Sequence, residues 1–282
     1  MSDILMYDRL ENGGKYSVWL FLKIGDSVLF DTHVHLNDKK YTDDLLEVIE
    51  RAKNEGVTRM LVVGCDQPTN QRAIELAEEY DFIYAAVGWH PVDSIYLTEE
   101  LFAELVEQAR HTKVVAVGEC GLDYHWDTSP KDLQKEVFIR QIKLAQEVNK
   151  PLVIHTRESI ADTLEILKAH DAKVVGGVMH CYSGSVETAR EFIDLNFKIS
   201  LGGPVTFTNG RRPQAVATEI PLEHLLVETD APYLTPHPYR GTRNEPFYVS
   251  LVAKKIAELK GLPYEVVCEQ TTANACELFK II

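Results

Sequence analysis

From Leu29 onward the chain alternates short apolar, β-branched runs with longer stretches of amphipathic spacing. The runs are Val28–Phe30, Thr58–Val63, Ile83–Val87, Lys113–Val117, Leu152–Ile154, Val174–Met179, Phe197–Leu201 and His224–Val227. Short runs of this kind read as buried strands. The connections between them carry helical spacing over Asp43–Asn54, Thr69–Tyr80, Thr98–His111, Lys131–Asn149, Ile160–Ala169, Ser185–Leu195 and Arg212–Glu219. Glu245–Lys260 and Tyr264–Phe279 add two further helices at the end. Buried strands that alternate with helices imply parallel βαβ units. Their count and even spacing predict an α/β fold of the closed (β/α)8 TIM-barrel type. An open doubly wound sheet is the competing topology. It calls for a Gly-rich turn after the first strand, where this chain has Asp31-Thr32-His33-Val34-His35.

Local signals agree with these elements. Thr98 precedes Glu99 and Glu100, which suit the positive end of a helix. Ser129-Pro130 opens the helix at Lys131, and Gly56 and Gly261 fall where helices should stop. Residues 1–28 stand apart as an N-terminal extension with a possible hairpin around Gly25-Asp26, leaving 29–282 as a single catalytic barrel. At 282 residues and 45% hydrophobic content the chain can bury a large core, which excludes disorder. The five cysteines are odd in number and form no CxxC pair, the usage of free thiols in a reducing compartment. No secretory leader pattern or membrane-length apolar stretch is visible, so a cytoplasmic location without membrane contact is expected. Nothing in the pattern specifies an oligomeric state. The net charge of −14 argues against a protein that coats nucleic acid, but not against one that receives it in a single pocket.

The candidate chemistry lies at the strand ends, which in such a barrel point into one shared pocket. The first strand ends in His33-x-His35, two imidazoles on one side of a strand. They suit a divalent cation such as Zn²⁺ or Mn²⁺. The third ends in Gly88-Trp89-His90-Pro91, the fourth in Gly118-Glu119, the fifth in His155, the sixth in His180 and the eighth in Asp230. A carboxylate that closes a buried strand, as Glu119 does, is costly unless paired or metal-bound. His155 and His180, each an ordinary core histidine if taken alone, fit a second metal with Glu119 as the bridge. Glu228 shares its side of the strand with Asp230, and either could be buried for structural reasons. Asp230, at the start of the loop, is preferred as a ligand that also serves as general base on water. Cys120 and Cys181 are offset by one residue and read as packing. His111, His125, His170 and His224 read as solvated or locally bonded, and His237, which sits in the final loop, is slightly favoured over them for a site role.

The ordered set Asp31-Thr-His33-Val-His35-Leu36, Gly88-Trp-His90-Pro91, Gly118-Glu119-Cys-Gly121-Leu-Asp123-Tyr124, His155-Thr-Arg157, His180-Cys-Tyr-Ser183-Gly184 and Glu228-Thr-Asp230-Ala-Pro232 resembles the TatD family of metal-dependent hydrolases. Arg240-Gly-Thr-Arg243-Asn244-Glu245-Pro246 is similar to that family's final loop. The resemblance implies a TIM barrel of the amidohydrolase superfamily with two divalent ions (Mg, Mn or Zn), and deoxyribonuclease activity on DNA or another phosphodiester. It implies one metal on His33, His35, Glu119 and Asp230, and a second on Glu119, His155 and His180. Glu119 and Asp230 are then the catalytic carboxylates. His90, Arg157, Arg240 and Arg243 are the candidate phosphate contacts, and Asp123 a candidate partner that fixes a ligand histidine's tautomer. With Glu119 at the strand-four end, no carbamylated lysine is required. The alternatives are a metallohydrolase of a small phosphoester, amide or lactone, and, third, a non-enzymatic scaffold.

Overall fold

A computed structural model describes residues 28–281. The possible hairpin within residues 1–28 lies outside the described residues, except for Val28. Eight parallel strands form one sheet in the order β1 to β8: Leu29–Val34, Val57–Val63, Ile83–Val87, Val114–Asp123, Leu152–Arg157, Gly177–Met179, Phe197–Leu201 and Leu225–Val227. Helices α1 to α7 follow the first seven strands: Leu45–Asn54, Gln67–Glu79, Glu99–Ala109, Lys131–Val148, Ile160–Ala169, Val186–Asp194 and Arg211–Glu219. Two more, α8 (Val249–Lys260) and α9 (Tyr264–Phe279), follow β8. This is the (β/α)8 barrel, and the open doubly wound sheet is excluded.

The seam between β1 and β8 closes the barrel. There Asp230 N–H donates to the His33 carbonyl at 2.9 Å and His35 N–H to the Ala231 carbonyl at 2.8 Å. Asp31, fully buried, accepts from the Thr229 backbone at 2.9 Å and its hydroxyl at 2.6 Å. Burial pushes its carboxyl up to about 8. The seam thus holds the strand that carries His33 and His35 against the one that carries Asp230.

Two cores result from the double-faced burial of the sheet. The larger lies between strands and helices. The smaller fills the barrel with Phe30, Leu61, Val63, Ala86, Ala116, Val153, Val178 and Leu226. Its floor is the end of α9, where Phe279 meets Phe30 with ring centroids 6.0 Å apart. Helix starts follow their signals: the Thr98 hydroxyl accepts from Leu101 N–H, and Gly261 ends α8 at φ 65°. Ser129 departs from its expected place. Pro130 is the cap residue, and the Ser129 hydroxyl instead donates to the Val92 carbonyl.

Strand lengths differ from the apolar runs in an instructive way. β1, β4 and β5 continue through His33, Glu119 and His155, because those polar ends are buried against one another. The sixth run shortens: Ala172–Val174 forms a 3-10 turn with Val174 largely exposed, and pairing begins only at Gly177. Both β1 and β4 carry register shifts. β1 gains a residue over β2 between Asp31 and Val34, and β4 gains one over β5 between Val117 and Cys120. Such bulges re-aim side chains. His33 lies in the first and Glu119 in the second.

Candidate metal centre

The strand ends meet in a cavity of about 340 Å³ at the C-terminal mouth of the barrel. His35, His90, Glu119, His155, His180 and Asp230 line it, and buried His33 sits behind them. The structure therefore brings all six expected ligands together.

Glu119 is the centre of the arrangement. Its Oε2 faces His33 Nε2 at 3.5 Å and His35 Nε2 at 3.8 Å. Its Oε1 faces His155 Nδ1 at 2.9 Å, His180 Nε2 at 3.3 Å and His90 Nε2 at 3.6 Å. Asp230 Oδ1 completes the first group, 3.4 Å from His35 Nε2 and 3.9 Å from His33 Nε2. Among the described residues four groups of three donors lie close enough to hold an ion, and three of them consist of these residues and Glu228.

Outer contacts fix which nitrogen faces the pocket. His35 Nδ1 is 2.9 Å from the Val63 carbonyl, so that nitrogen carries the hydrogen and Nε2 the lone pair. His155 Nε2 is 2.8 Å from Asp123 Oδ2, which leaves Nδ1 for the pocket. His180 Nδ1 is 3.1 Å from Glu228 Oε1, which leaves Nε2. Asp123 thus stands where it was expected, beneath a histidine. His90 Nδ1 accepts from Val92 N–H at 3.3 Å, so its Nε2 carries a hydrogen.

The donor set fits divalent ions. His33 Nε2 and His35 Nε2 approach to 3.2 Å while facing two carboxylates, a spacing that suits two nitrogen donors on one divalent ion. Buried His33 Nδ1 and Glu228 Oε2 have no hydrogen-bond partner among the described residues. Electrostatics reflect the same crowding. Burial opposes ionisation of Glu119, but His180, His90 and His155 outweigh it and hold the carboxyl well below its usual range. Burial likewise opposes charge on His180, yet Glu228 and Glu119 raise it well above the ordinary imidazole value. His35 is raised, despite burial, by Asp230 and Glu119. His90, with burial dominant, drops to about 3 and stays neutral.

The candidate phosphate contacts are dispersed. Arg157, exposed at the end of β5, lies 5.7 Å from the centroid of Trp126. Arg240 stacks 3.9 Å over Phe207. Arg243 departs from expectation: it binds Asp44 at 2.6 and 2.7 Å and Glu245 at 2.9 Å, so its charge ties the final loop to α1 and does not line the cavity. Sequence reasoning missed Cys65, whose Sγ is 3.5 Å from Glu119 Oε2, and the lining residues Asn37, Asp38, Thr69, Asp93 and Tyr233. Cys65 ends the second apolar run, so the strand-end rule would have found it. Glu228, which strand alternation places on the same side as Asp230, is the partner of His180. All five cysteines are free, and Cys120 is buried in the packing.

A family model, TatD related DNase, matches residues 30–280. The chain belongs to the TatD family of metal-dependent hydrolases. An uncharacterized metal-dependent hydrolase of Bacillus subtilis, YabD, is 59% identical over 90% of this chain and 100% of its own. A Klebsiella pneumoniae TatD named as a 3'-5' ssDNA/RNA exonuclease is 34% identical, over 90% of this chain and 98% of its own. The crystal structure of YjjV, a TatD homologue from Escherichia coli K12, superposes with a TM-score of 0.85 at 31% identity, covering 90% of this chain and 98% of that one. No helix among the described residues of this TatD-family chain is long and apolar enough to cross a membrane.

Proposed function

We propose that this chain hydrolyses phosphodiester bonds, with DNA as the substrate and free chain ends preferred, using two divalent ions that share Glu119. The observation that carries this reading is the division of Glu119, each of whose oxygens faces a separate histidine group. His33, His35, Glu119 and Asp230 would hold one ion, and Glu119, His155 and His180 the other. Mg, Mn and Zn all suit such mixed nitrogen and oxygen donors. When bound, divalent ions supply Lewis acidity at phosphoryl oxygens and make water nucleophilic near neutral pH.

The protein's own groups do the remainder. Asp230 is held below the ordinary carboxyl range, against the opposing effect of burial, by the imidazoles of His35, His180 and His33 around it, so it is ionised and can take the proton of the attacking water. The water oxygen bonds to phosphorus, the P–O ester bond breaks, and the leaving oxygen departs to be protonated by solvent. Neutral His90 directs an N–H into the cavity, where it can donate to a phosphoryl oxygen. Arg157, like Arg240, has no carboxylate within ion-pair distance among the described residues, and lies at the end of β5 two residues beyond His155, where it can meet a phosphate. The Klebsiella relative's name adds support for a nucleic-acid substrate.

The test is a metal-supplemented screen of single-stranded DNA, duplex DNA, RNA and small phosphoesters with wild type and Asp230→Ala. Wild type should lose activity on chelation and regain it with Mg²⁺, Mn²⁺ or Zn²⁺. Asp230→Ala should lose about 10²-fold or more in kcat. Turnover that survives chelation, or an Asp230→Ala protein of full activity and full metal content, would refute the reading.

A further inference from the structure

The ion-binding groups leave two sides of the cavity mouth without a role. On one side Tyr233, which follows β8, lines the cavity and is 45% exposed. Its hydroxyl donates to Asp38 at 2.9 Å, and the Lys40 ammonium lies 4.3 Å from its ring centroid. On the β4–β5 side, beyond the residues that line the cavity, Trp126 follows β4 and is 53% exposed, with the Arg157 guanidinium from the end of β5 beside it. β1 adjoins β8 at the seam and β4 adjoins β5, so in the barrel order these two pairs lie opposite each other. Among the described residues no carboxylate comes within ion-pair distance of Lys40 or Arg157. In a chain of net charge −14, these two cations lie without an ion-pair partner beside a cavity whose lining carries the carboxylates Asp38, Asp93, Glu119 and Asp230.

Both rings are anchored to the ion-binding groups. The backbone N–H groups of His125 and Trp126 donate to Asp123 Oδ1 at 2.9 and 3.2 Å, while Asp123 Oδ2 takes His155 Nε2. Tyr233 sits edge-on to His35, with ring centroids 6.1 Å apart. A held, exposed aromatic face with an unneutralised cation beside it recognises an unpaired base and its phosphate. Bases inside a duplex have no face to offer.

We propose that Tyr233 with Lys40, and Trp126 with Arg157, are two stacking platforms that lay a single-stranded nucleic acid across the mouth. One nucleoside rests on each side of the phosphate presented to Glu119 and Asp230. This rests on the phosphodiesterase reading above and adds the residues that select an unpaired strand.

The test compares wild type, Tyr233→Ala, Trp126→Ala and the conservative Tyr233→Phe and Trp126→Phe, all loaded with metal. Substrates are methyl p-nitrophenyl phosphate and an oligothymidylate of about a dozen nucleotides, within the usual span of single-strand sites. A phosphorothioate form of the oligomer and an abasic oligomer of equal length serve as binding probes. Each alanine variant should raise KM for the oligomer about 10-fold, with kcat changed little, and should weaken phosphorothioate binding alike. Activity on the small ester should stay within about 2-fold, the phenylalanine variants should retain most binding, and the abasic oligomer should bind wild type weakly. Equal loss on both substrates, no loss on either, or abasic binding as tight as thymidylate would overturn the proposal. If wild type cleaves neither substrate, ring-dependent oligomer binding still upholds the platforms while the phosphodiesterase reading falls. If no oligomer binds, the platforms fall whatever the activity.

Discussion

Asp123 shows how one carboxylate sets the chemistry of its neighbours. Oδ1 accepts two backbone N–H groups from the His125–Trp126 turn, and Oδ2 accepts from His155 Nε2. Every contact is a donor to oxygen, so the site requires a carboxylate. An asparagine must turn its amide either toward the turn or toward His155, and in both orientations hydrogens oppose hydrogens. If the amide faces His155, Nε2 must become the acceptor and Nδ1 takes the hydrogen, which removes the lone pair aimed at the cavity. Asp123→Asn should therefore weaken metal affinity about 10–100-fold while the fold is kept. Calorimetric titration with Mn²⁺ or Zn²⁺ reads this directly, and unchanged affinity would show that His155 does not depend on Asp123. Glu228 plays the same part for His180, with the Cys181 N–H at 2.7 Å as its second donor. Its position two residues before Asp230 disguised it, since alternation puts both carboxylates on one side and does not say which is nearer the cavity.

At the scale of elements, the site depends on how closely β4 approaches β5. Gly121 has φ +133°, and a methyl group there would stand 2.1 Å from the His155 carbonyl oxygen. Gly121→Ala should destabilise the protein by about 2–3 kcal/mol, seen as a lower urea midpoint at unchanged slope, and should reduce metal uptake by shifting His155. A variant with wild-type midpoint and metal content would show that the strands can part without cost. A second tie joins α1 to the loop after β8 through Asp44, Arg51, Arg243 and Glu245. Arg243 holds the Asp44 carboxyl below its usual value. The folded pKa is depressed, so this stabilisation is present above the ordinary aspartate pKa near 4 and is lost as pH falls through the lower folded value. Asp44→Asn should thus be less stable than wild type at neutral pH, by at most about 1 kcal/mol in so solvated a network, and the gap should close in acid. Urea midpoints measured across pH would reveal a constant gap if the ion pair were irrelevant. These elements also mark what was legible in the sequence. Strand and helix periodicity located every βα unit, because burial on both faces forces continuous apolar runs. The six ligand candidates were legible as polar residues that end such runs. The bulges at His33 and Glu119 were not, since register is a property of two strands and appears in neither alone. Tyr233, Asn37 and Asp38 were hidden because loops bring them to the cavity, and loop direction leaves no periodic trace. Arg243 misled for the converse reason: a cation near the site in sequence found carboxylates before it could face the cavity.

For the molecule as a whole, charge and shape decide which substrates reach the site. The chain carries 43 acidic and 29 basic residues, so its general field repels a polyanion. Near the barrel mouth Lys40 and Arg157 lie without a carboxylate at ion-pair distance among the described residues, and divalent ions would add their charge. Binding should then involve only a few phosphates. For single strands the logarithm of affinity falls with that of salt by about 0.7 per phosphate neutralised, so a shallow slope on the order of −1 to −3 is expected. A steep slope would reveal an extended basic track that the described surface does not suggest. The cavity of about 340 Å³ sets the second limit. It has room for one nucleotide-sized group, and its ion-binding residues lie buried or nearly so at the strand ends. A paired duplex cannot enter it, whereas a chain end can, with one nucleoside inside and the strand leaving across the rim. Linear DNA with frayed or single-stranded ends should accordingly be degraded progressively. A covalently closed duplex circle of the same sequence should persist under identical metal and salt, and become a substrate once it is linearised. Rapid cutting of the closed circle, at a rate that linearisation does not raise, would mean that the duplex is opened or gripped by a surface other than this mouth.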